Sequence, residues 1–456
     1  MTKKTLFFGL IGFIAALGGF LFGFDTAVVS GTVIFIKEQF SMNAIAEGWF
    51  VSSALIGSIA GVAVCGYLTD KKGSKKVMLL SSLLFTITAL GCMIANTELE
   101  LILYRFVGGL GIGIASVVSP LYLSEISPAK IRGKMVSLYQ MAITIGILTI
   151  YFSNNSLLKL SGNDSLVFEN AFFIKIFKTE VWRSMFGVGV IPAIIFLVLL
   201  FIIPESPRWL LKHGKKDAAK KVLKKIHSKD DIEINDIEID DETQYSKKSS
   251  IKSIVRYKKP LLIGIAFAFI CQFSGITAVI YYGAKILNFT GKGLGSAYSG
   301  QLLIGIVNVI FTIIAVLFID KIGRKKLTIA GASLSLIAHF FIGFLFFTNQ
   351  TEGLALSFFI LLYTATFAAS YGPVFWTVIS EIYPNKIRGK AMSIAAFANW
   401  IATALVAQII PWMLENLKPH GTFWFFAICS VPALYFALKI LPETKGKTLE
   451  EIEKMW

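Results

Sequence analysis

Charge is what this chain has least of. Asp, Glu, Lys and Arg together make up 16% of its 456 residues, against about 25% in ordinary soluble proteins. Hydrophobic residues make up 55%, and the mean hydropathy is +0.70. That balance excludes a typical soluble enzyme. Cysteine is also scarce. Cys65, Cys92, Cys271 and Cys429 all fall inside apolar runs, with no CxxC or Cys/His spacing, so neither a disulfide framework nor a zinc site is indicated. The four histidines lack a metal-ligand spacing, and no Gly-x-Ser-x-Gly falls between a strand and a helix. No enzyme and no cofactor is expected. Period-2 alternation is missing too, which excludes barrel strands and leaves helices.

What is there is a succession of about twelve apolar runs of membrane-spanning length. Six lie between Thr5 and about Ile203, and six between about Pro260 and Leu441. The opening Met-Thr-Lys-Lys resembles a signal peptide, but the run after it is too long for an h-region and has no A-x-A site. It reads as the first span. The chain is therefore expected to be an all-α membrane protein. Its expected parts are a six-helix bundle over 1–203, an intracellular helical domain and linker over 204–256, a second bundle over 257–442 and a tail over 443–456. In the middle part, Ala218, Ala219, Val222, Leu223 and Ile226 fall at helical spacing among lysines, and Lys229–Ser250 reads as an acidic, polar linker. The segment 154–181 reads as a long external connection.

The formal net charge of +16 would suggest nucleic acid as a partner in a soluble chain. Its placement argues for membrane lipid instead. Alternate connections are basic: Lys71, Lys72, Lys75 and Lys76; Lys130, Arg132 and Lys134; Lys321, Arg324, Lys325 and Lys326; Lys386, Arg388 and Lys390. The connections Asn96–Glu100 and Asn349–Gly353 carry no Lys or Arg. By the positive-inside rule both termini are cytoplasmic and the number of spans is even.

The two halves repeat. Glu125-Ile-Ser-Pro-Ala-Lys-Ile-Arg-Gly-Lys134 matches Glu381-Ile-Tyr-Pro-Asn-Lys-Ile-Arg-Gly-Lys390 at an offset of 256 (381 − 125). Asp70-Lys-Lys-Gly-Ser-Lys-Lys76 matches Asp320-Lys-Ile-Gly-Arg-Lys-Lys326, and Pro204-Glu205-Ser206 matches Pro442-Glu443-Thr444. Three matches in the same order are the mark of a duplicated six-helix unit, as in transporters that hold substrate between two bundles near the midplane. Gly73 and Gly323 are expected to turn with positive φ. The basic residues beside them are expected to pair with Glu125 and Glu381, latching the cytoplasmic side together with Asp70, Arg132, Glu205, Asp320, Arg324 and Arg388.

Asp25 lies in the middle of the first run, where a charge costs about 2.5–3.5 kcal/mol on insertion scales. Arg105 is the second intramembrane charge, in a span whose Gly108, Gly109, Gly111 and Gly113 offer a thin face for close packing. Two opposite charges buried in one half pair most economically with each other. If the partner can move away, such a carboxylate becomes a proton-coupling device. In the seventh span Gly275 permits local unwinding beside Gln272, Thr277 and Tyr281, and in the tenth Pro373 is expected to break the helix beside Trp376. With Gln140, Asn399 and Trp400, these amides and rings suit an uncharged ligand rich in hydroxyls.

Taken together these residues resemble the sugar porter family of the major facilitator superfamily, which includes bacterial proton-coupled xylose and glucose symporters and facilitative glucose transporters. The resemblance covers nearly the whole chain. It rests on Gly-Phe-Leu-Phe-Gly-Phe-Asp-Thr-Ala-Val-Val-Ser-Gly (19–31), the paired Glu…Lys-Ile-Arg-Gly-Lys loops, Pro-Glu-Ser-Pro-Arg-Trp-Leu (204–210), Gln-Phe-Ser-Gly-Ile-Thr…Tyr-Tyr (272–282), Gly-Pro-Val-Phe-Trp (372–376) and Pro-Glu-Thr-Lys-Gly (442–446). It implies two pseudosymmetric six-helix bundles, alternating access, and a monomer importing a hexose or pentose with protons across the cytoplasmic membrane. A facilitator without coupling and a non-transporting sugar sensor are the alternatives. By position, Asp25 is similar to the proton-binding Asp of the symporters and Arg105 to its partner. Gln140, Gln272, Trp376 and Trp400 match sugar contacts, and Phe22, Ile143 and Tyr281 match contacts or gates. The resemblance also puts Cys271, where a Gln is usual, with Thr277 and Asn399 among the sugar contacts; the chain departs from the family at these three, at Ile147 and Ser74, and at Gly189 of the sixth span, where some symporters carry a Glu.

Overall fold

The computed structural model describes residues 3–127, 132–163, 165, 168–226, 257–384, 387–447 and 449–456, the side chains of 3–6, 132–134, 136, 137, 449 and 450 excepted. Among these every regular element is helical, and twelve helices are long and apolar enough to cross a membrane. The chain divides into two compact units, Met1–Asp236 and Ile237–Trp456. The expected linker Lys229–Ser250 lies outside the described residues.

The first unit holds α1 (Lys3–Gln39), α2 (Ala44–Lys72), α3 (Ser74–Ile94), α4 (Glu98–Ile126) and α5 (Arg132–Ser161). After them come α6 (Ala171–Ile174), a π-helical turn (Lys175–Thr179), α7 (Val181–Gly187) and α8 (Val190–Leu199), then α9 (Pro207–Lys212) and α10 (Lys216–Ile226). Local chemistry sets the ends. The Asn43 side chain accepts from the Ala46 N–H at 2.9 Å, and that of Thr97 from the Glu100 N–H at 3.2 Å, so each satisfies a donor that the first turn leaves over. Gly73, at φ 92°, separates α2 from α3.

Small residues let the helices touch backbone to backbone. A Cβ on Gly57 would stand 2.2 Å from the Phe106 carbonyl oxygen, and one on Gly109 2.0 Å from that of Ala54. This seam locks α2 to α4 and fixes the height of Arg105. The same device joins α1 to α5, where a Cβ on Gly23 would stand 2.0 Å from the Ile143 carbonyl oxygen.

The external connection is shorter than the sequence suggests. Helix α5 runs on to Ser161 because Asn154 and Asn155, polar as they are, face inward and are 0% and 6% exposed.

The second unit opens with α11 (Lys258–Cys271), a π-helical turn (Gln272–Ile276) and α12 (Thr277–Asn288), which form one interrupted span. Then follow α13 (Leu294–Ile322), α14 (Arg324–Phe347), α15 (Leu354–Ala369), α16 (Tyr371–Glu381), α17 (Arg388–Asn416), α18 (Lys418–Tyr435) and the short α19 (Leu449–Glu453). Gly275, at φ 97° and ψ 2°, is the non-helical point of the first span. The break in the tenth span falls at Ser370 (φ −125°, ψ −87°), not at Pro373. Pro373 lies in the first turn of α16, where its missing N–H is no loss. The core of this unit gathers Phe267, Tyr371, Phe375 and Phe436 around Cys271.

Candidate functional site

In the first unit the structure brings Asp25 and Arg105 together. Asp25 is 9% exposed and Arg105 is wholly buried. The Arg105 Nη1 donates to Asp25 Oδ2 at 2.8 Å and to the Asp25 backbone oxygen at 3.3 Å. Its Nε and Nη2 have no partner among the described residues. The guanidinium carbon lies 5.8 Å from the centre of the Phe186 ring. Beside Asp25 is a cavity with room for roughly one water, walled by Phe24, Phe85, Ala89, Phe186 and Gly189. Gly189 thus stands next to the acid. Phe22, Gln140 and Ile143 are half-buried on α1 and α5.

In the second unit the interrupted span carries the polar cluster. The Gln272 Nε2 donates to Asn399 Oδ1 at 3.0 Å, and the Thr277 hydroxyl donates to Gln272 Oε1 at 3.2 Å. Both ends of one amide are therefore held. Tyr281 and Trp400 are buried, while Trp376 is 44% exposed with its ring edge-on to Phe375. Cys271 does not belong with this set. It is 2% exposed, its Sγ lies 4.0 Å from the Tyr371 carbonyl oxygen, and it packs in the core. One residue along a helix turns the side chain through about 100°, which is enough to separate it from Gln272.

The repeated loops are alike in backbone and unlike in charge. In the second unit the Arg324 Nη2 donates to Asp320 Oδ1 and Glu381 Oε1, each at 2.8 Å, and the Thr444 hydroxyl donates to Glu381 Oε2 at 2.6 Å. In the first unit Ser74 stands where Arg324 does, and its hydroxyl donates to Glu125 Oε2 at 3.2 Å. Glu125 makes no ion pair among the described residues, contrary to the expected latch, because a hydroxyl has replaced the guanidinium. Asp70 pairs instead with Lys212 at 2.8 Å. Arg388 donates to the Tyr383 carbonyl at 3.2 Å. The Arg132 side chain lies outside the described residues.

The Pro-Glu repeats have a common task. Glu205 accepts from the Lys75 backbone N–H at 3.0 Å, at the start of α3. Glu443 accepts from the N–H groups of Arg324 and Lys325, both at 3.1 Å, at the start of α14. Each carboxylate satisfies free donors at the positive end of a helix dipole. A Cβ on Gly73 would stand 2.3 Å from Glu205 Oε2, and one on Gly323 2.7 Å from Glu443 Oε2, so the glycines leave room for the acids.

One network was not foreseen from the sequence. Gln39 Nε2 donates to Glu180 Oε2 at 3.0 Å, and the Trp182 indole donates to Gln39 Oε1 at 2.7 Å. Arg183 Nε donates to Glu180 Oε2 at 2.5 Å, and Arg183 Nη1 to the Met93 carbonyl at 3.0 Å. These bonds tie the ends of α1 and α3 to α7. Burial pushes the Glu180 carboxyl up, but the hydrogen bonds from Gln39 and Arg183 and the charges of Arg183 and Lys175 outweigh it and hold the group below its usual range. Glu180 falls in the segment 154–181 that the sequence reads as an external connection, but no local pattern pairs it with Gln39 or Met93.

Residues 11–456 match the family model described as sugar (and other) transporter. The arabinose-proton symporter of Bacillus subtilis is 37% identical over 449 residues, covering 98% of this chain and 94% of the relative. The D-xylose-proton symporter of Escherichia coli is 36% identical, covering 98% and 95%. The inward-open structure of the E. coli xylose transporter XylE superposes with a TM-score of 0.83 at 35% identity, covering 98% of this chain and all of that one. The chain belongs to the sugar transporter family and has the major facilitator fold.

Proposed function

We propose that this protein imports a monosaccharide together with protons, by alternating access, across the plasma membrane. The observation that carries the reading is the buried pair of Asp25 and Arg105, 2.8 Å apart within two membrane-spanning helices. A charge pair there is costly to desolvate and marks ion pathways. Protonating Asp25 removes its charge, loosens its hold on Arg105 and frees the first bundle to change conformation. The proton is thus the coupling ion, and no bound cofactor is needed. The relatives named as arabinose- and xylose-proton symporters support the same substrate class.

The sugar is held by neutral groups. Gln272, Thr277 and Asn399 offer donors and acceptors already aligned with one another, and Trp376 offers an exposed ring face. The basic connections put both termini in the cytoplasm. Arg324, Asp320 and Glu381 then form a cytoplasmic latch, and the protein works as a monomer.

Coupling is tested by adding xylose, arabinose or glucose to energy-depleted cells in lightly buffered medium. A symporter makes the medium alkaline as sugar enters. Uptake without alkalinisation would make the protein a facilitator.

A further inference from the structure

His339 of α14 is wholly buried, and neither ring nitrogen has a hydrogen-bond partner among the described residues. Among the described residues its neighbours are aromatic. Its centroid lies 4.2 Å from that of Tyr363, 5.9 Å from Phe423 and 5.8 Å from Phe426. An imidazole is seldom left this way, since burying unpaired polar atoms is unfavourable. Hydrogen bonding does not account for its position, so its shape must.

The shape bears on the break in the seventh span. A Cβ on Gly275 would stand 3.1 Å from His339 Nε2 and 3.1 Å from the Phe426 ring. The imidazole is therefore pressed against the one residue of that span with a left-handed backbone, at φ 97°. Tyr363, tilted at 44° against the same ring, lies with its hydroxyl 3.2 Å from the Ser274 hydroxyl, and Ser274 donates to the Cys271 carbonyl at 2.6 Å. The wall formed by His339 and Tyr363 thus touches the bulge at two successive residues, 274 and 275. Gln272 begins that bulge and Thr277 follows it. Any change in the bulge rotates the amide that Asn399 and Thr277 hold.

We propose that His339 is a positioning residue for sugar recognition. Its ring, backed by Tyr363, holds Gly275 in the left-handed conformation and so aims the Gln272 amide at the sugar. This rests on the reading of Gln272 as a sugar contact, and it adds a residue that touches neither the sugar nor Gln272.

The test is a double-mutant cycle on the transporter in proteoliposomes, using whichever of xylose, arabinose and glucose the wild type takes up best. Gln272→Ala raises KM by about tenfold, since it removes an amide with two hydrogen-bonding ends. His339→Ala raises KM by about fivefold. His339→Phe, which keeps a flat ring, returns KM to within about twofold of wild type. The combination of His339→Ala with Gln272→Ala is no worse than Gln272→Ala alone, because the first acts only through the second. Tyr363→Phe, a milder change, follows the same pattern if His339→Ala does not fold. A merely structural role would lower yield and maximal rate and leave the KM of the surviving protein unchanged, which overturns the proposal. Multiplicative effects in the double variant, or failure of His339→Phe to restore KM, also overturn it. If Gln272→Ala leaves KM unchanged, the reading of the sugar site itself falls.

Discussion

Arg105 holds Asp25 through a single nitrogen. Its Nη1 reaches both the carboxylate, at 2.8 Å, and the backbone oxygen, at 3.3 Å. The rest of the guanidinium faces Phe186 with Nε and Nη2 unpaired among the described residues. A forked, two-bond grip would be stronger. A one-handed grip in an otherwise apolar setting is easier to release, which suits the proposed coupling role.

Removing either partner should therefore have unequal consequences. Arg105→Ala leaves Asp25 buried without a cation, and breaking such a pair costs about 3–5 kcal/mol. The expected result is a large drop in thermal stability in detergent. Adding Asp25→Asn to Arg105→Ala takes away the stranded charge and should recover a good part of that loss. Equal instability of the single and double variants would mean that the pair is not the reason.

The latch residues predict a difference between the halves. Arg324 bridges Asp320 and Glu381, and its side chain is 9% exposed. Ser74 gives Glu125 only a hydroxyl at 3.2 Å. Arg324→Ala should lower the maximal transport rate several-fold, while Ser74→Ala should change it by less than about twofold, since it removes one long hydrogen bond and no ion pair. Initial rates of uptake at saturating sugar decide this.

Glu180 predicts a pH effect on stability. Its carboxyl sits below the ordinary value of 4.5 because the bonds and charges from Gln39, Arg183 and Lys175 outweigh its burial. A group lowered on folding stabilises the folded state above its unfolded value and gives up that stability as pH falls through the folded one. Melting curves in detergent should therefore decline below pH 4.5. Glu180→Gln should melt lower at neutral pH and show a shallower acid decline.

Much of this was legible in the sequence because lipid permits so few backbone solutions. Long apolar runs had to be helices, and Asp25 and Arg105, opposite charges within the spans of one half, pair most economically with each other. Gly275 likewise announced the interruption of the seventh span. Side-chain direction was harder to read. Cys271 and Gln272 are neighbours in sequence, yet one enters the core and the other the polar cluster. Pro373 marked the tenth-span break only to within a turn, since the chain bends at Ser370 and the proline then opens the new helix. The Glu180 network and the contact of His339 with Gly275 join residues far apart in sequence, and no local pattern announces them.

On the proposed reading, the charge of Asp25 links proton entry to sugar entry. This link is tested most directly in proteoliposomes with an imposed inward proton gradient, comparing the wild type with Asp25→Asn. The wild type should concentrate sugar against its gradient. The variant should stop at equal concentrations on the two sides while still exchanging labelled for unlabelled sugar. Accumulation by Asp25→Asn to the wild-type level would contradict the link.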